Sequence, residues 1–129
     1  MKSLFTALLL TLTVFTSQAN EVSKISQQQL LSMQNAPTAP DFIILDVRSE
    51  EEFKAGHIKG AMNISHDTIE QHLNKLSDYK NKTVVVHCRS GRRAQTAEAA
   101  LQAHGFKKLR HLDGDYNAWL AAELPLVKE

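Results

Sequence analysis

The stretch TVVVHCRSGRRAQTA, residues 83–97, contains the chain's single cysteine, Cys88, at the junction of two structural patterns. An apolar β-branched run, typical of a buried strand, ends at the thiol, and an alanine-rich helical pattern follows a short loop with one glycine and three arginines. A thiol on such a turn faces backbone N–H groups and the positive end of a helix dipole, and nearby guanidinium groups favour its thiolate form. The stretch therefore predicts a nucleophilic thiol in a binding site for a small anion.

Other short apolar runs lie on both sides of this stretch. Residues 42–47 (FIILDV) form a continuous apolar run, which is typical of a strand buried on both faces. Further strands are predicted at 21–25, 60–64 and 109–112. Because strands alternate with helical patterns, the sequence predicts an α/β fold with three layers, a small parallel sheet with helices on both faces. Ligands of such sheets bind at the carboxyl ends of the strands, where Cys88 and Asp46 lie.

Two capping boxes mark the beginnings of helices. Ser26 and Ser49 each stand three residues before a glutamine or glutamate, which predicts helices beginning directly after them, the second ending at Gly56. Further helices are predicted over 67–76, from the arginine-rich loop to about His104, and around Trp119, with a polar connection at 77–82.

The first residues have the pattern of an export signal. Lys2 precedes an uncharged, mostly apolar run at 4–15, and Ser17-Gln18-Ala19 has the small-x-small pattern of a signal-peptidase site. We therefore expect a signal peptide at 1–19, a single domain at 20–129 and a periplasmic location. A membrane-spanning helix needs roughly 20 apolar residues, so an uncleaved tether is the less favoured alternative and no stable membrane association is expected.

Composition excludes several functional classes. Removal of 1–19 would take away one charged residue and leave 14 basic and 14 acidic residues, a balance that argues against a nucleic-acid partner. One cysteine permits neither an internal disulfide nor a four-cysteine zinc site, and the six histidines lack compact ligand spacing, so no metal and no cofactor are expected. The protein is expected to be a monomer. A buried structural cysteine remains the alternative for Cys88, although the neighbouring arginines argue against it.

Three motifs resemble the rhodanese (sulfurtransferase) family, above all its exported single-domain members. They are Asp46-Val47-Arg48 with the following 51–64 segment, the loop Cys88–Arg93, and the run Leu112-Asp113-Gly114-Asp115-Tyr116-Asn117-Ala118-Trp119. Their order and spacing span most of the chain after residue 19. Asp115 departs from the resemblance, because the family usually has a second glycine at this position.

The resemblance implies transfer of sulfane sulfur from thiosulfate to cyanide or a thiol through a persulfide on Cys88. The loop residues would form the substrate site. Arg89 and Arg92 are candidates for binding the sulfonate group, because a planar guanidinium suits oxyanions. Gly91 would allow the tight turn that lets N–H groups converge. Ser90 would supply a hydroxyl or only a turn residue, and Arg93 would brace the loop or contact a carboxylate.

Several other polar and aromatic side chains receive simpler interpretations. Arg48 is expected to form an ion pair with a glutamate of the following helix. His57 is expected to pack or hydrogen-bond, and His87 to point away from the face of Cys88, because strand neighbours face opposite sides. Phe53 and Trp119 are expected in the core.

The sequence is also compatible with other functions. Cysteine phosphatases and arsenate reductases also hold a thiolate in an anion cradle, and those phosphatases resemble His-Cys-x5-Arg. Here the sixth position after the cysteine is Ala94, and the last loop arginine, Arg93, is one position earlier. A non-catalytic binding module is a further alternative, and a redox role would need an external resolving thiol because no Cys-x-x-Cys exists. The sequence identifies neither the physiological donor nor the acceptor.

Overall fold

The computed structural model describes residue 3 and the ranges 11–13, 21–38 and 41–129. The signal-peptide prediction for 1–19 falls almost entirely outside the described residues and stays a prediction. Among the described residues, no helix combines the length and the apolar character needed to cross a membrane.

A five-stranded, fully parallel sheet forms the centre of the described domain, which confirms the predicted α/β fold. Its strands are β1 (Ser23–Ile25), β2 (Phe42–Asp46), β3 (Met62–Asn63), β4 (Thr83–His87) and β5 (Leu109–Leu112). Their spatial order is β1-β5-β4-β2-β3, so β4 is the middle strand. Because every strand runs in the same direction, the segment that follows β4 emerges between those that follow β2 and β5.

Four of the five α-helices in the described residues lie where the sequence patterns predict them. They are α1 (Gln27–Gln34), α2 (Glu50–Ala55), α3 (Leu73–Leu76), α4 (Arg92–Ala103) and α5 (Asp115–Ala121). Both capping boxes are present: the hydroxyls of Ser26 and Ser49 accept from the third N–H of their helices, and the Gln29 and Glu52 side chains reach back. Gly56 follows α2 directly, as expected.

The prediction of a continuous α-helix over 67–76 is wrong. A 3₁₀ turn at Glu70–His72 leads into the single turn of α3, and a second 3₁₀ turn occupies Ser77–Tyr79, where a connection was expected. The His72 ring N–H donates to the Thr68 carbonyl 2.8 Å away. This carbonyl is the one that a regular α-helix would pair with the backbone N–H of His72. Ile69 and Leu76 of this segment are nevertheless buried in the core.

Alternate residues of β4 face two separate apolar clusters. Val84 and Val86 pack in the cluster that contains the inward face of α4, and Val85 packs in the cluster that contains Leu30 of α1 and Trp119 of α5. The Trp119 indole N–H donates to the carbonyl of Pro125 at 3.0 Å. Helices therefore cover both faces of the sheet, which confirms the three predicted layers.

Candidate active site

Cys88 lies directly after β4, and the loop that follows folds its backbone over the sulfur. The Gly91 N–H donates to Sγ of Cys88 at 3.0 Å. Gly91 has a φ of 114°, a region that favours glycine, and it precedes the first residue of α4. Cys88 is 1% exposed and touches the α4-side core, so the thiol lies at the base of the loop and not on its rim.

The three loop arginines divide into two kinds. Arg89 and Arg92 are exposed, and their guanidinium groups form no hydrogen bond or ion pair with any residue in the described ranges. Arg93 is half-buried and donates to both oxygens of Glu52 in α2, at 2.6 and 3.1 Å. These hydrogen bonds lower the pKa of Glu52 to about 2, because they stabilise its charged form. Arg93 thus contacts a carboxylate, one of its two expected roles, while Arg89 and Arg92 are available to an anion.

A cleft of about 840 Å³ opens beside the loop on the side of β1 and β5. Ser90, Gly91 and Arg92 form part of its wall, and Cys88 does not reach it. Three of the predicted substrate-binding residues therefore line this cleft, and Arg89 and Arg93 do not. An anion in the cleft would meet Arg92 and the Ser90 region before it met the sulfur.

The first turn of α5 binds the backbone of the loop. The N–H groups of Tyr116 and Asn117 donate to the carbonyls of Cys88 and Arg89, both at 3.0 Å. These donors are free because the first N–H groups of a helix have no partner within it. The Asp115 side chain accepts the Cys88 N–H at 3.0 Å. Three successive residues of α5 therefore bind three backbone groups of Cys88 and Arg89.

The expected ion pair of Arg48 with a glutamate of α2 is wrong. Arg48 donates instead to both oxygens of Asp46, at distances down to 2.7 Å, and to the carbonyl of Gly56 at 2.8 Å. Its guanidinium carbon lies 3.7 Å from the centre of the Tyr116 ring. Asp46 and Arg48 point to the same side because they are two residues apart in extended chain, and Glu52 is occupied by Arg93.

His87 is buried next to this pair. Its Nδ1–H donates to the Cys88 carbonyl at 3.0 Å, and its Nε2 lies 3.7 Å from an Asp46 oxygen. Burial lowers the pKa of His87, since an enclosed imidazolium loses its hydration. His87 therefore supports the peptide of Cys88 as a neutral ring. His57 also has its expected role, because it stacks on Phe53 and donates to the Phe53 carbonyl.

A buried row of three ionisable residues was not predicted. His111 of β5 donates from Nδ1 to Glu98 of α4, at 2.9 Å, and from Nε2 to Asp115, at 2.9 Å. Hydrogen bonds to Asp115 and Glu98 raise the pKa of His111 to about 10, so the ring is an imidazolium at neutral pH. The one available signal was Asp115 itself, a charged residue in a turn that usually has glycine.

The charge on His111 predicts a loss of stability in alkaline solution. Its pKa is raised from 6.5 in the unfolded reference to about 10 in the fold, so the stabilisation is complete below pH 6.5 and is lost as pH rises towards 10. Urea unfolding at several pH values measures this slope. In His111→Gln the slope over this interval should be smaller than in the wild type, and equal slopes would contradict the assignment.

Comparison with known proteins identifies the fold and its relatives. A family model described as "Rhodanese-like domain" matches residues 26–122. A thiosulfate sulfurtransferase from Pseudomonas aeruginosa has a TM-score of 0.71 and 28% identity, over 84% of this chain and 20% of that one. A rhodanese-like domain protein from Staphylococcus aureus has a TM-score of 0.66 and 28% identity, over 76% of this chain and 91% of that one.

The curated relatives are longer proteins, and they are named as hydroxylases and not as sulfurtransferases. The tRNA uridine(34) hydroxylase of Wigglesworthia glossinidia brevipalpis is 38% identical over 78 residues, which are 57% of this chain and 25% of that protein. The protein of the same name from Cronobacter sakazakii is 34% identical over 79 residues, or 23% of its length. The chain therefore matches about a quarter of these relatives.

Proposed function

This chain belongs to the rhodanese-like domain family, and from that membership we propose that it is a thiosulfate sulfurtransferase whose sulfur carrier is Cys88. The observation that carries the proposal is the Gly91 N–H directed at Sγ of Cys88, within a loop that presents two arginines without a partner among the described residues. Backbone N–H groups stabilise an anionic sulfur, and guanidinium groups attract an anionic donor. Both requirements of thiosulfate chemistry are met within six residues.

The proposed reaction has two half-reactions. The Cys88 thiolate attacks the outer sulfur of thiosulfate, the S–S bond breaks, and its electron pair leaves with sulfite. A cysteine persulfide remains. Cyanide or a thiolate then attacks the terminal sulfur, the bond between the two sulfurs of the persulfide breaks, and the Cys88 thiolate is restored. Neither half-reaction needs a general base once Cys88 is ionised, which is consistent with the neutral, buried state of His87.

The residues of the loop would have different roles in this reaction. Arg89 and Arg92 would bind the sulfonate of thiosulfate, and Ser90 would add a hydroxyl donor at the rim. Gly91 would hold its N–H against the sulfur in the thiolate and persulfide states. Preorganised donors of this kind contribute on the order of 3 kcal/mol each to transition-state stabilisation.

The phosphatase alternative receives less support from the geometry. Ala94, which occupies the position of the phosphatase arginine, is fully buried in the core, and Arg93 is held by Glu52. The hydroxylase name of the curated relatives belongs to proteins about four times the matched length, and a near-neutral chain does not favour an RNA partner. Export to the periplasm is proposed on the pattern of residues 1–19.

Intact mass spectrometry tests the proposal. Incubation of the reduced protein with thiosulfate should add one sulfur atom, and cyanide should remove it with release of thiocyanate. No adduct on a demonstrably free thiol would contradict sulfur transfer from thiosulfate. Release of phosphate from an aryl phosphate without a persulfide would support the phosphatase alternative instead.

A further inference from the structure

Asp115 occupies a position where its backbone favours a different residue. It has a φ of 53°, in the left-handed region that glycine adopts without strain. Its side chain is 3% exposed and is therefore removed from water. A non-glycine residue with a charged, buried side chain costs free energy at such a turn. The hydrogen bonds of its carboxylate offset this cost.

Both carboxylate oxygens of Asp115 are used. Oδ1 accepts the backbone N–H of Cys88 at 3.0 Å, and Oδ2 accepts the His111 Nε2–H at 2.9 Å. Glu98 holds the other nitrogen of the same ring at 2.9 Å. The imidazolium fixes the orientation of Asp115, and Asp115 in turn fixes the peptide that begins the loop.

The same pair also lies beneath the far end of the loop. A Cβ atom at Gly91 would stand 3.1 Å from Oδ2 of Asp115 and 3.7 Å from Nε2 of His111. Gly91 is the residue whose N–H donates to Sγ of Cys88. Asp115 therefore binds the peptide at one end of the loop and leaves no room for a side chain at the residue that binds the sulfur at the other end.

We infer that Asp115 is a positioning residue for sulfur transfer, held by His111 and Glu98, that sets the place of the Cys88 sulfur beneath the Gly91 N–H. The inference rests on the proposed function. Asp115 does not contact the substrate in this role, so its loss should slow the sulfur-transfer step and leave thiosulfate binding by the loop arginines largely unchanged.

Two variants at this position separate the acceptor oxygen from the charge. Asp115→Asn and Asp115→Gly both remove the charge, and both residue types tolerate a positive φ. The asparagine keeps an oxygen for the Cys88 N–H, and its amide N–H can donate to Nε2 of a neutral His111. Glycine keeps neither contact. Asp41→Asn is the matched control, because Asp41 is 84% exposed, forms an ion pair of 3.9 Å with Lys82 and precedes β2, at the end of the sheet opposite Cys88.

Two measurements on the wild type and these variants test the inference. Under saturating thiosulfate, persulfide formation should be about tenfold slower in Asp115→Gly than in Asp115→Asn, the usual effect of one lost buried hydrogen bond. The half-saturating thiosulfate concentration should agree within about twofold between the two variants. Hydrogen exchange of the Cys88 amide, measured by NMR, should be faster in Asp115→Gly and remain slow in Asp115→Asn. Asp41→Asn should behave as the wild type in both measurements.

Specific outcomes would overturn the inference. Equal persulfide formation in the two Asp115 variants would do so, even if the Cys88 amide exchanged faster in Asp115→Gly. A loss that merely follows the unfolded fraction, measured by urea unfolding of each variant, would also count against it. Failure of the proposed function is distinguishable, because it appears in the wild type as absence of any sulfur adduct, while amide exchange still reports the Asp115 contact.

Discussion

If the proposed function holds, replacement of Cys88 with serine should lower sulfur transfer from thiosulfate to cyanide by at least about a thousandfold, because it removes the proposed sulfur carrier. A serine hydroxyl is not ionised near neutral pH, and it forms no persulfide analogue that cyanide could resolve. The remaining loop groups would still bind thiosulfate without converting it. Thiocyanate formation under saturating donor and acceptor measures the effect, and intact mass should show no added sulfur.

The serine variant also has an internal control for folding. A hydroxyl at position 88 can still accept the Gly91 N–H that binds the sulfur in the wild type, so the loop keeps its main contact. Circular dichroism and urea unfolding should therefore show a folded protein. A serine variant that forms thiocyanate at more than about a hundredth of the wild-type rate would contradict the role of Cys88.

Replacement of Arg48 with methionine should destabilise the fold by about 3–5 kcal/mol, the usual effect of removing one partner from a buried ion pair. Asp46 and Arg48 are 0% and 3% exposed, so the Asp46 carboxylate would be left in an apolar interior without its counter-ion. The Gly56 carbonyl would lose a donor, and the Tyr116 ring would lose a stacked cation. The free energy of unfolding in urea measures the loss.

Lys54→Met is the matched control for that experiment. It also removes one cation from an ion pair, but the pair of Lys54 with Glu50 lies on the surface at 2.9 Å, with both side chains more than half exposed. The free energy of unfolding should be unchanged within experimental error, since water replaces the lost partner. If the free energies of unfolding of the two variants differed by less than about 1 kcal/mol, the buried pair would not contribute the expected stability.

Local sequence patterns predicted the elements that present Cys88. The β-branched run before the cysteine became β4, the alanine-rich run after it became α4, and the serines before α1 and α2 formed capping boxes. Each of these predictions depends on residues within a few positions of one another. The strand–loop–helix arrangement around Cys88 could therefore be predicted from local sequence, and its chemistry stays a prediction.

Long-range partners could not be predicted in the same way. Arg48 was expected to pair with a glutamate of α2, but Glu52 of that helix binds Arg93, which is 41 residues away. The two residues meet because α2 and the loop lie at the same end of the sheet. Glu98, His111 and Asp115 come from three different elements, and they meet because β5 lies next to β4 in the sheet. The spacing of residues along the sequence does not indicate which residues of different elements will be in contact.

The protein's single tryptophan gives the loop an optical reporter. Trp119 lies on α5 two residues after Asn117, whose N–H holds the Arg89 carbonyl, and its indole is buried with its N–H on Pro125. A shift of the loop backbone during reaction would tilt this short helix and change the surroundings of the indole. Intrinsic fluorescence should therefore follow the reaction of Cys88 in real time, without an attached dye and without a chromogenic substrate.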